Sequence, residues 1–237
     1  MNIICNNNYI YAGHIYLASQ SPRRRELLTA MGLSFEVLPP DDGVEDARKL
    51  NEQPCQYVCR QAIQKACNVA EKIEFGCVIA CDTVVCCGGE LLGKPSDKND
   101  ARHMLKCLRG KKHQVISGLC VLTKKIYQPK QSFQTSIKFH QDKYVETNFT
   151  MDKSAQITED SNTNSLKVIA EQTELVMQKI TDQEIESYLD NNVWKDKAGA
   201  FGYQDNNSWI KIINGSESNV VGLPIERLRE LLEQNNM

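Results

Sequence analysis

The strongest constraint on the fold is the run CVIACDTVVCC, from Cys77 to Cys87, which is apolar except for two adjacent residues. A nearly continuous apolar run of this length predicts a buried strand. The two glycines that follow, Gly88 and Gly89, predict a tight turn into the next short strand. The segment is therefore expected to form one buried arm of a β-hairpin.

Asp82 and Thr83 are the two residues that interrupt this apolar run. A carboxylate inside an apolar strand loses several kcal/mol of hydration free energy unless it is paired with a cation or bound to a metal. Asp82 is therefore a candidate for binding magnesium or activating water, with Thr83 adding a hydroxyl group. The alternative is a structural role, in which Asp82 is hydrogen-bonded to nearby backbone.

Helical and strand patterns alternate along the rest of the chain. Pro54 begins a helical pattern with apolar residues at every third or fourth position, and Ser96 or Asp97 caps another that ends at Gly110. Further strands are predicted at residues 9–18, 113–122, 166–181 and 208–214, and further helices at residues 22–31, at 181–192 and after Pro224. This order predicts an α/β fold with a mixed, twisted sheet flanked by helices.

A polar segment interrupts the alternation. Residues 124–165 are rich in Lys, Gln, Ser, Thr, Asn and Asp, with one proline and no glycine or cysteine. A long polar connection inside a compact domain is typically flexible or peripheral. We therefore predict a single domain over residues 1–237, with residues 124–165 as an insertion that is flexible or forms a peripheral hairpin.

Composition excludes several classes of protein. A net charge of -2 over 237 residues argues against a general nucleic-acid binder. No apolar run approaches the ~20 residues of a membrane span, and the N-terminal residues lack signal-peptide features, so a cytoplasmic location is expected. The ten cysteines lie mostly in apolar runs or on predicted helices and form no CxxC pair, so reduced thiols are expected rather than a structural zinc site.

Three consecutive arginines occupy an unusual place in the first predicted helix. Ser21 is placed to cap this helix and Pro22 suits its first position, which puts Arg23, Arg24 and Arg25 in the first turn. A cation there is unfavourable by roughly 0.3–1 kcal/mol because the helix N-terminus is already positive. A bound polyphosphate explains the arrangement, and a solvated basic turn is the alternative.

Two further segments have the composition of binding loops. In GKP, Lys94 stands between two residues that restrict the backbone, which suits a lysine aimed at a phosphate. The segment KDKAGAFGYQD, which contains Lys197 and Gln204, combines lysines, aspartates, glycines and aromatic residues before a strand. A flexible surface turn is the alternative for this second segment.

The segments LASQSPRRRELL, YVCRQAIQKA, ACDTVV, LLGKP, DKAGAFGYQ and NVVGLP, in this order, resemble the motifs of the Maf family of nucleoside triphosphate pyrophosphatases. The resemblance implies an inosine triphosphatase-like fold, with two lobes around a cleft. It also implies hydrolysis of a nucleoside triphosphate to the monophosphate and pyrophosphate. The implied cofactor is a divalent metal, magnesium or alternatively manganese.

The resemblance also implies roles for individual residues. Asp82 is expected to accept a proton from water and, with Lys94, to form the catalytic pair. A family glutamate from the acidic loop corresponds to Glu45 or Asp46, either of which is a candidate metal ligand beside Asp82. The residues expected to bind substrate are Ser21, Arg23, Arg24, Lys65, Thr83, Lys197 and Gln204.

Gln204 bears on the choice of base. Arg23, Thr83 and Gln204 match the branch of the family that acts on dTTP and UTP, whereas the branch acting on 7-methyl-GTP has a glutamate in place of Gln204. A glutamine amide can both donate to a carbonyl and accept from the N–H of uracil or thymine, and a carboxylate only accepts. One departure is FGYQD in place of the usual YGIQG, which puts Asp205 where a glycine is usual.

The sequence therefore predicts a dTTP/UTP pyrophosphatase. The alternatives are a non-catalytic nucleotide-binding regulator of cell division and an interaction protein that works through the polar insertion. The predicted partners are a nucleoside triphosphate and a second copy of the chain in a homodimer, with no nucleic acid and no membrane.

Overall fold

The computed structural model describes residues 14–124, 144–147, 165–205 and 208–233. Its strands are β1 Ile15–Leu17, β2 Glu36–Val37, β3 Gly76–Cys87, β4 Glu90–Leu92, β5 Lys112–Lys124, β6 Tyr144–Thr147, β7 Ser165–Met177 and β8 Ile210–Asn214. Its helices are α1 Pro22–Ala30, α2 Pro54–Lys72, α3 Lys98–Leu108, α4 Asp182–Asp190, α5 Glu217–Val221 and α6 Ile225–Glu233, with a 3-10 turn at Ala198–Ala200.

The strands form one eight-stranded mixed sheet. Its main order is β2-β1-β3-β5-β7-β6, and β4 and β8 pair with β3 and β7. β1 is parallel to β2 and β3, and the remaining neighbours are antiparallel. Gly88 and Gly89 turn β3 into β4 with φ of +60° and +86°, as the hairpin prediction required. The predicted α/β class with a mixed sheet flanked by helices is confirmed.

One edge of β3 is only partly covered, and this opening positions the site. β1 pairs with residues 77–79 of β3, and β4 pairs with residues 85–87. Among the described strands, residues 80–84 are therefore paired on one side only, where Asp82 is opposite Gly118 of β5. Asp82 consequently lies at the opening between the two halves of the sheet.

Helices cover both faces of the sheet and divide the core into two lobes. α2 packs on one face of β3, β5 and β7, and α1 and α6 pack on the opposite face. α3 and α4 cover the other end of the same long strands, where Tyr188 and Trp194 join the apolar core. The cleft between these two lobes is the opening beside Asp82, in agreement with the prediction of two lobes around a cleft.

Local signals explain where the helices begin. Gln53 and Gln56 form a reciprocal capping box in front of α2, and the Asp97 carboxylate accepts a hydrogen bond from the backbone N–H of Asp100 at the start of α3. Thr181 and Glu184 form a second capping box at α4. The choice between Ser96 and Asp97 as the α3 cap is thus decided in favour of Asp97.

Parts of two predicted segments lie outside the described residues. The strand predicted at residues 9–18 is observed as Ile15–Leu17, and residues 1–13 are outside the description. Within the predicted insertion, β6 pairs antiparallel with β7, and residues 125–143 and 148–164 are outside the description. None of the described helices is long and apolar enough to cross a membrane.

Candidate functional site

A cavity of about 820 Å³ opens at the gap along β3. Its walls come from both lobes, so it occupies the cleft between them. Asp46 is the one predicted site residue that does not line it. The predicted residues that do line it are Ser21, Arg23, Arg24, Glu45, Lys65, Asp82, Thr83, Lys94, Lys197 and Gln204.

The centre of the site is a lysine held between two carboxylates. Lys65 Nζ lies 2.7 Å from Asp82 Oδ1 and 2.6 Å from Glu45 Oε1. The side chains of Lys65 and Asp82 are only 6% and 14% exposed, so this contact compensates the buried charge that the sequence left unexplained. Burial raises the pKa of the Glu45 carboxyl, but the charge and hydrogen bond of Lys65, together with the charges of Lys94 and Arg24, outweigh this effect and hold the pKa below its usual value. Both carboxylates are therefore oriented by one cation.

Glu45 and Asp46, the two candidate metal ligands of the acidic loop, have different positions in the structure. Glu45 lines the cavity, whereas Gln64 Nε2 donates to Asp46 Oδ2 at 2.7 Å on the flank of α2. Gln61, on the same helix, donates through its amide to the backbone carbonyl of Asp46. Arg60 Nη1 lies 3.6 Å from the Asp46 carboxylate. Asp46 thus fastens the acidic loop to α2 and leaves Glu45 directed at the cavity.

Two of the three arginines at the start of α1 line the cavity. Three hydrogen bonds hold the Arg24 guanidinium. It donates to the Gly222 carbonyl at 2.7 Å and to Ser19 Oγ at 3.2 Å. It also donates to Thr83 Oγ1 at 3.1 Å. Arg23 donates to the carbonyl of Asp196 at 2.6 Å, and its pKa is lowered by burial and by the neighbouring Arg24. The helix therefore directs two guanidinium groups into the cleft.

The remaining residues of this turn have different environments. Arg25 is exposed, which matches the solvated alternative for this residue. Ser21 occupies the N-cap position of α1, as predicted, but its side chain makes no capping hydrogen bond. The backbone N–H groups at the start of α1 are the donors that bind anions at helix N-termini.

The loop before β8 closes the other wall of the cavity. The backbone N–H of Gly199 donates to the Gly93 carbonyl at 2.9 Å, which joins this loop to the segment that carries Lys94. Lys94 and Gln204 are exposed side chains on the cavity wall. Lys197, which was predicted to bind substrate, is engaged with Asp205, and its Nζ lies 2.5 and 2.6 Å from the two carboxylate oxygens.

Some groups at the site have little signal in the sequence. Ser19 and the carbonyl of Gly222 hold Arg24, but neither follows from hydrophobic periodicity or charge. Gly222 lies in the NVVGLP segment that contributes to the family resemblance, which is the one signal that points to it. Backbone carbonyls are available at every residue, so the one that accepts from an arginine is known only once the chain is folded.

The arrangement suits a polyphosphate together with a cation. Arg23, Arg24 and Lys94 supply positive charge to the lining of the cavity, and guanidinium groups form strong charge-assisted hydrogen bonds to phosphate oxygens. Glu45 and Asp82 supply carboxylate oxygens that converge on one point. Such a site can neutralise a bound anion and hold a water molecule for proton transfer.

The chain is similar in sequence to known proteins over most of its length. The sequence model of the family described as Maf-like protein matches residues 14–156 and 153–235. A Rhodopirellula baltica protein named dTTP/UTP pyrophosphatase is 40% identical over 220 residues, which are 92% of this chain and 81% of the relative. Proteins of the same name from Carboxydothermus hydrogenoformans and Ruminiclostridium cellulolyticum are 37% and 33% identical, over 92% and 94% of this chain and 97% and 96% of the relatives.

The family match therefore extends over both lobes and includes every segment that lines the cleft. The similarity covers 81%, 97% and 96% of the three relatives, so it is not confined to one motif. On these grounds, this chain belongs to the Maf family.

Proposed function

We propose that this protein is a nucleoside triphosphate pyrophosphatase that hydrolyses dTTP and UTP to the nucleoside monophosphate and pyrophosphate. The observation that carries the proposal is the largely buried Asp82 carboxylate, which shares Lys65 with Glu45 in a cleft lined by arginines. The names of the relatives, dTTP/UTP pyrophosphatase, support the same substrates.

The donor set fits a divalent metal, which we propose to be magnesium, with manganese as an alternative. Glu45 Oε1 and Asp82 Oδ1 lie 2.6 and 2.7 Å from Lys65 Nζ, so the two carboxylates lie close together in the cavity. The described residues contain no group of three or more His, Cys, Asp or Glu side chains placed to hold a metal. Magnesium is usually bound by one or two carboxylates together with substrate phosphates and water, so two carboxylates suffice. When bound, the metal neutralises phosphate charge and polarises the phosphoryl group.

The residues of this chain divide the chemical work. Arg23, Arg24 and Lys94 bind the phosphates and neutralise negative charge on the leaving pyrophosphate. Asp82 accepts a proton from the water molecule that adds across the anhydride bond between the α- and β-phosphates. The bond from phosphorus to the water oxygen forms as the bridging P–O bond breaks, and pyrophosphate departs. Lys65 Nζ, 2.7 Å from Asp82 Oδ1, orients the carboxylate for this transfer.

A direct assay tests the proposed function. The purified protein is incubated with UTP or dTTP and magnesium, and monophosphate and pyrophosphate are quantified by ion-exchange chromatography. Equal amounts of the two products are expected. Release of inorganic phosphate together with the nucleoside diphosphate would indicate a different hydrolase. Binding of the nucleotide without turnover would indicate the non-catalytic regulator.

The two acidic-loop residues give a matched pair of variants. Glu45→Gln is expected to lower kcat/KM for UTP by about 10²-fold, because it removes a carboxylate oxygen from the proposed metal site. Asp46→Asn keeps the cavity wall and is expected to lower kcat/KM by less than about fivefold. Initial rates at saturating and limiting magnesium measure both effects. Equal losses in the two variants would contradict the assignment of Glu45.

The choice of base is expected to depend on Gln204. Its amide can pair with the O4 and N3–H groups shared by uracil and thymine, whereas cytosine presents an amine and an unprotonated nitrogen. A buried polar mismatch is unfavourable by about 1–3 kcal/mol, so kcat/KM for UTP should exceed that for CTP by roughly 5- to 150-fold. Gln204→Glu should reduce this ratio. An unchanged ratio would remove Gln204 from base recognition.

A further inference from the structure

The loop that carries Gln204 has an unfavourable backbone conformation. Asp196 and Ala200 both have φ of +60°, in the left-handed region that favours glycine. Non-glycine residues in this region persist where surrounding contacts hold them in place. The loop is therefore expected to depend on specific contacts for its shape.

A largely buried ion pair within the loop supplies such contacts. Lys197 Nζ lies 2.5 and 2.6 Å from the two oxygens of Asp205, and the two side chains are only 11% and 19% exposed. At Gly202 an added Cβ would lie 2.5 Å from Lys197 Nζ, so the backbone passes directly over the pair. The pair thus joins the two ends of the segment that contains the 3-10 turn.

Tyr188 connects this ion pair to the core of the second lobe. Its hydroxyl donates to Asp205 Oδ2 at 2.8 Å and accepts from the backbone N–H of Gly202 at 3.4 Å. The Tyr188 ring packs against Phe201 and Trp209, with centroids 5.5 and 5.4 Å away. Burial and the neighbouring Asp205 raise the pKa of the Tyr188 hydroxyl, so it stays protonated and remains a donor.

Gln204 lies between the two points that are held. Gly202 is hydrogen-bonded to Tyr188, and Asp205 is hydrogen-bonded to both Tyr188 and Lys197. The side chain of Gln204, between them, is exposed on the cavity wall. Fixing the backbone on each side of a residue restricts the directions that its side chain can take. A glycine at position 205, as in the family pattern that this chain departs from, would leave Lys197 without this partner.

We propose that Asp205 is a specificity-determining positioning residue, which uses Lys197 and Tyr188 to hold Gln204 toward the base of the nucleotide. This inference rests on the proposed function for its choice of substrates. It gives Lys197 a different role from the direct substrate contact expected from the resemblance, because both hydrogen bonds of its ammonium group are with Asp205.

The two roles of Lys197 predict different results with a probe that has no base. Inorganic tripolyphosphate reports contacts to phosphate alone, and the ratio of kcat/KM for UTP over CTP reports contacts to the base. Three variants are compared with the wild type: Lys197→Met, Asp205→Asn and the double variant. Inhibition by tripolyphosphate and the UTP/CTP ratio are measured for each.

If Asp205 positions Gln204, the UTP/CTP ratio falls about fivefold or more in both single variants, while the inhibition constant of tripolyphosphate changes by less than about threefold. The double variant has a ratio close to that of the single variants, because the two residues act as one unit. Tyr188→Phe lowers the ratio to a smaller extent, since it removes one of the contacts to Asp205.

Two results would overturn the inference. One is a loss of tripolyphosphate inhibition of tenfold or more in Lys197→Met with an unchanged UTP/CTP ratio, which would make Lys197 a phosphate ligand. The other is an unchanged ratio in all variants. Lys197→Met and Asp205→Asn each leave one largely buried charge without its oppositely charged partner, whereas the double variant removes both charges. The double variant therefore keeps the test valid if a single variant fails to fold.

Lys98 and Asp190 provide a matched control. Their ion pair is 2.6 Å long but 43% and 68% exposed, and neither residue lines the cavity. Lys98→Met and Asp190→Asn should leave the UTP/CTP ratio unchanged. If the wild type does not hydrolyse UTP, the same comparison is made with dissociation constants for UTP and CTP, so failure of the proposed function and failure of this inference give different results.

Discussion

Asp82→Asn is expected to lower kcat for UTP hydrolysis by about 10²–10⁴-fold, the range typical for loss of a general base. The substitution keeps the size of the side chain but removes the negative charge that faces Lys65 at 2.7 Å. This is the carboxylate that we propose accepts a proton from water. Steady-state rates with UTP and magnesium measure the effect. The midpoint of thermal unfolding is measured in parallel, because the substitution removes the charge that pairs with the buried Lys65.

Asp190→Asn serves as the control for this substitution, because that carboxylate is 68% exposed and lies outside the cavity. Its rate should match that of the wild type. A folded Asp82→Asn protein that retains more than about a tenth of the wild-type rate would contradict a proton-accepting role for Asp82.

The second large effect is expected for stability. Gly118 lies opposite Asp82 in the strand register, and a Cβ at this position would meet the carbonyl carbon and oxygen of Val58 at 2.3 Å. These are backbone atoms of α2, so the helix as a whole would have to move. We expect Gly118→Ala to lower the free energy of unfolding by about 3 kcal/mol, at the upper end of the range for overpacking.

Urea denaturation followed by circular dichroism measures this change. Gly93→Ala is the matched control, because a Cβ at Gly93 has no atom within 4 Å and its backbone needs no positive φ. It should alter the free energy of unfolding by less than about 1 kcal/mol. Equal stabilities of the two variants would show that α2 does not need the close approach at Gly118.

Gly118 also connects the fold to the proposed chemistry. Val58 and Lys65 are seven residues apart on α2, which places them on the same face of the helix. The close approach at Gly118 therefore brings that face near enough to β3 for Lys65 to reach Asp82. Where Gly118→Ala remains folded, its kcat should fall as well, because the helix that carries Lys65 has shifted.

The elements with strong local signals were predictable. The apolar run of β3, the hairpin glycines and the Pro54 start of α2 depend on neighbours in the chain, so their patterns are visible in the sequence. β2 has two residues and α5 has five, which is too short for a periodic pattern, and neither was predicted. Where propensity and periodicity extend over several turns or a long strand, local sequence is a sufficient guide.

The site was predictable to the extent that its residues conflict with their local surroundings. Asp82 stands out because a charge interrupts an apolar strand, and the arginines stand out because they lie at the positive end of a helix. Both anomalies concern one residue and its neighbours. The structure brings both into one cavity, which local anomalies could not determine.

The sequence alone thus determined the α/β class and the main helices and strands, and it singled out Asp82, Arg24 and Gln204 as candidate residues, all of which line the cavity. Only the tertiary structure decided that Lys65 pairs with Asp82 and Glu45, and that Asp46 turns away to α2. It also decided that Lys197 is bound by Asp205. The physical reason is that helix and strand periodicity depends on neighbouring residues, whereas the partner of a buried charge depends on which surfaces pack together and how closely.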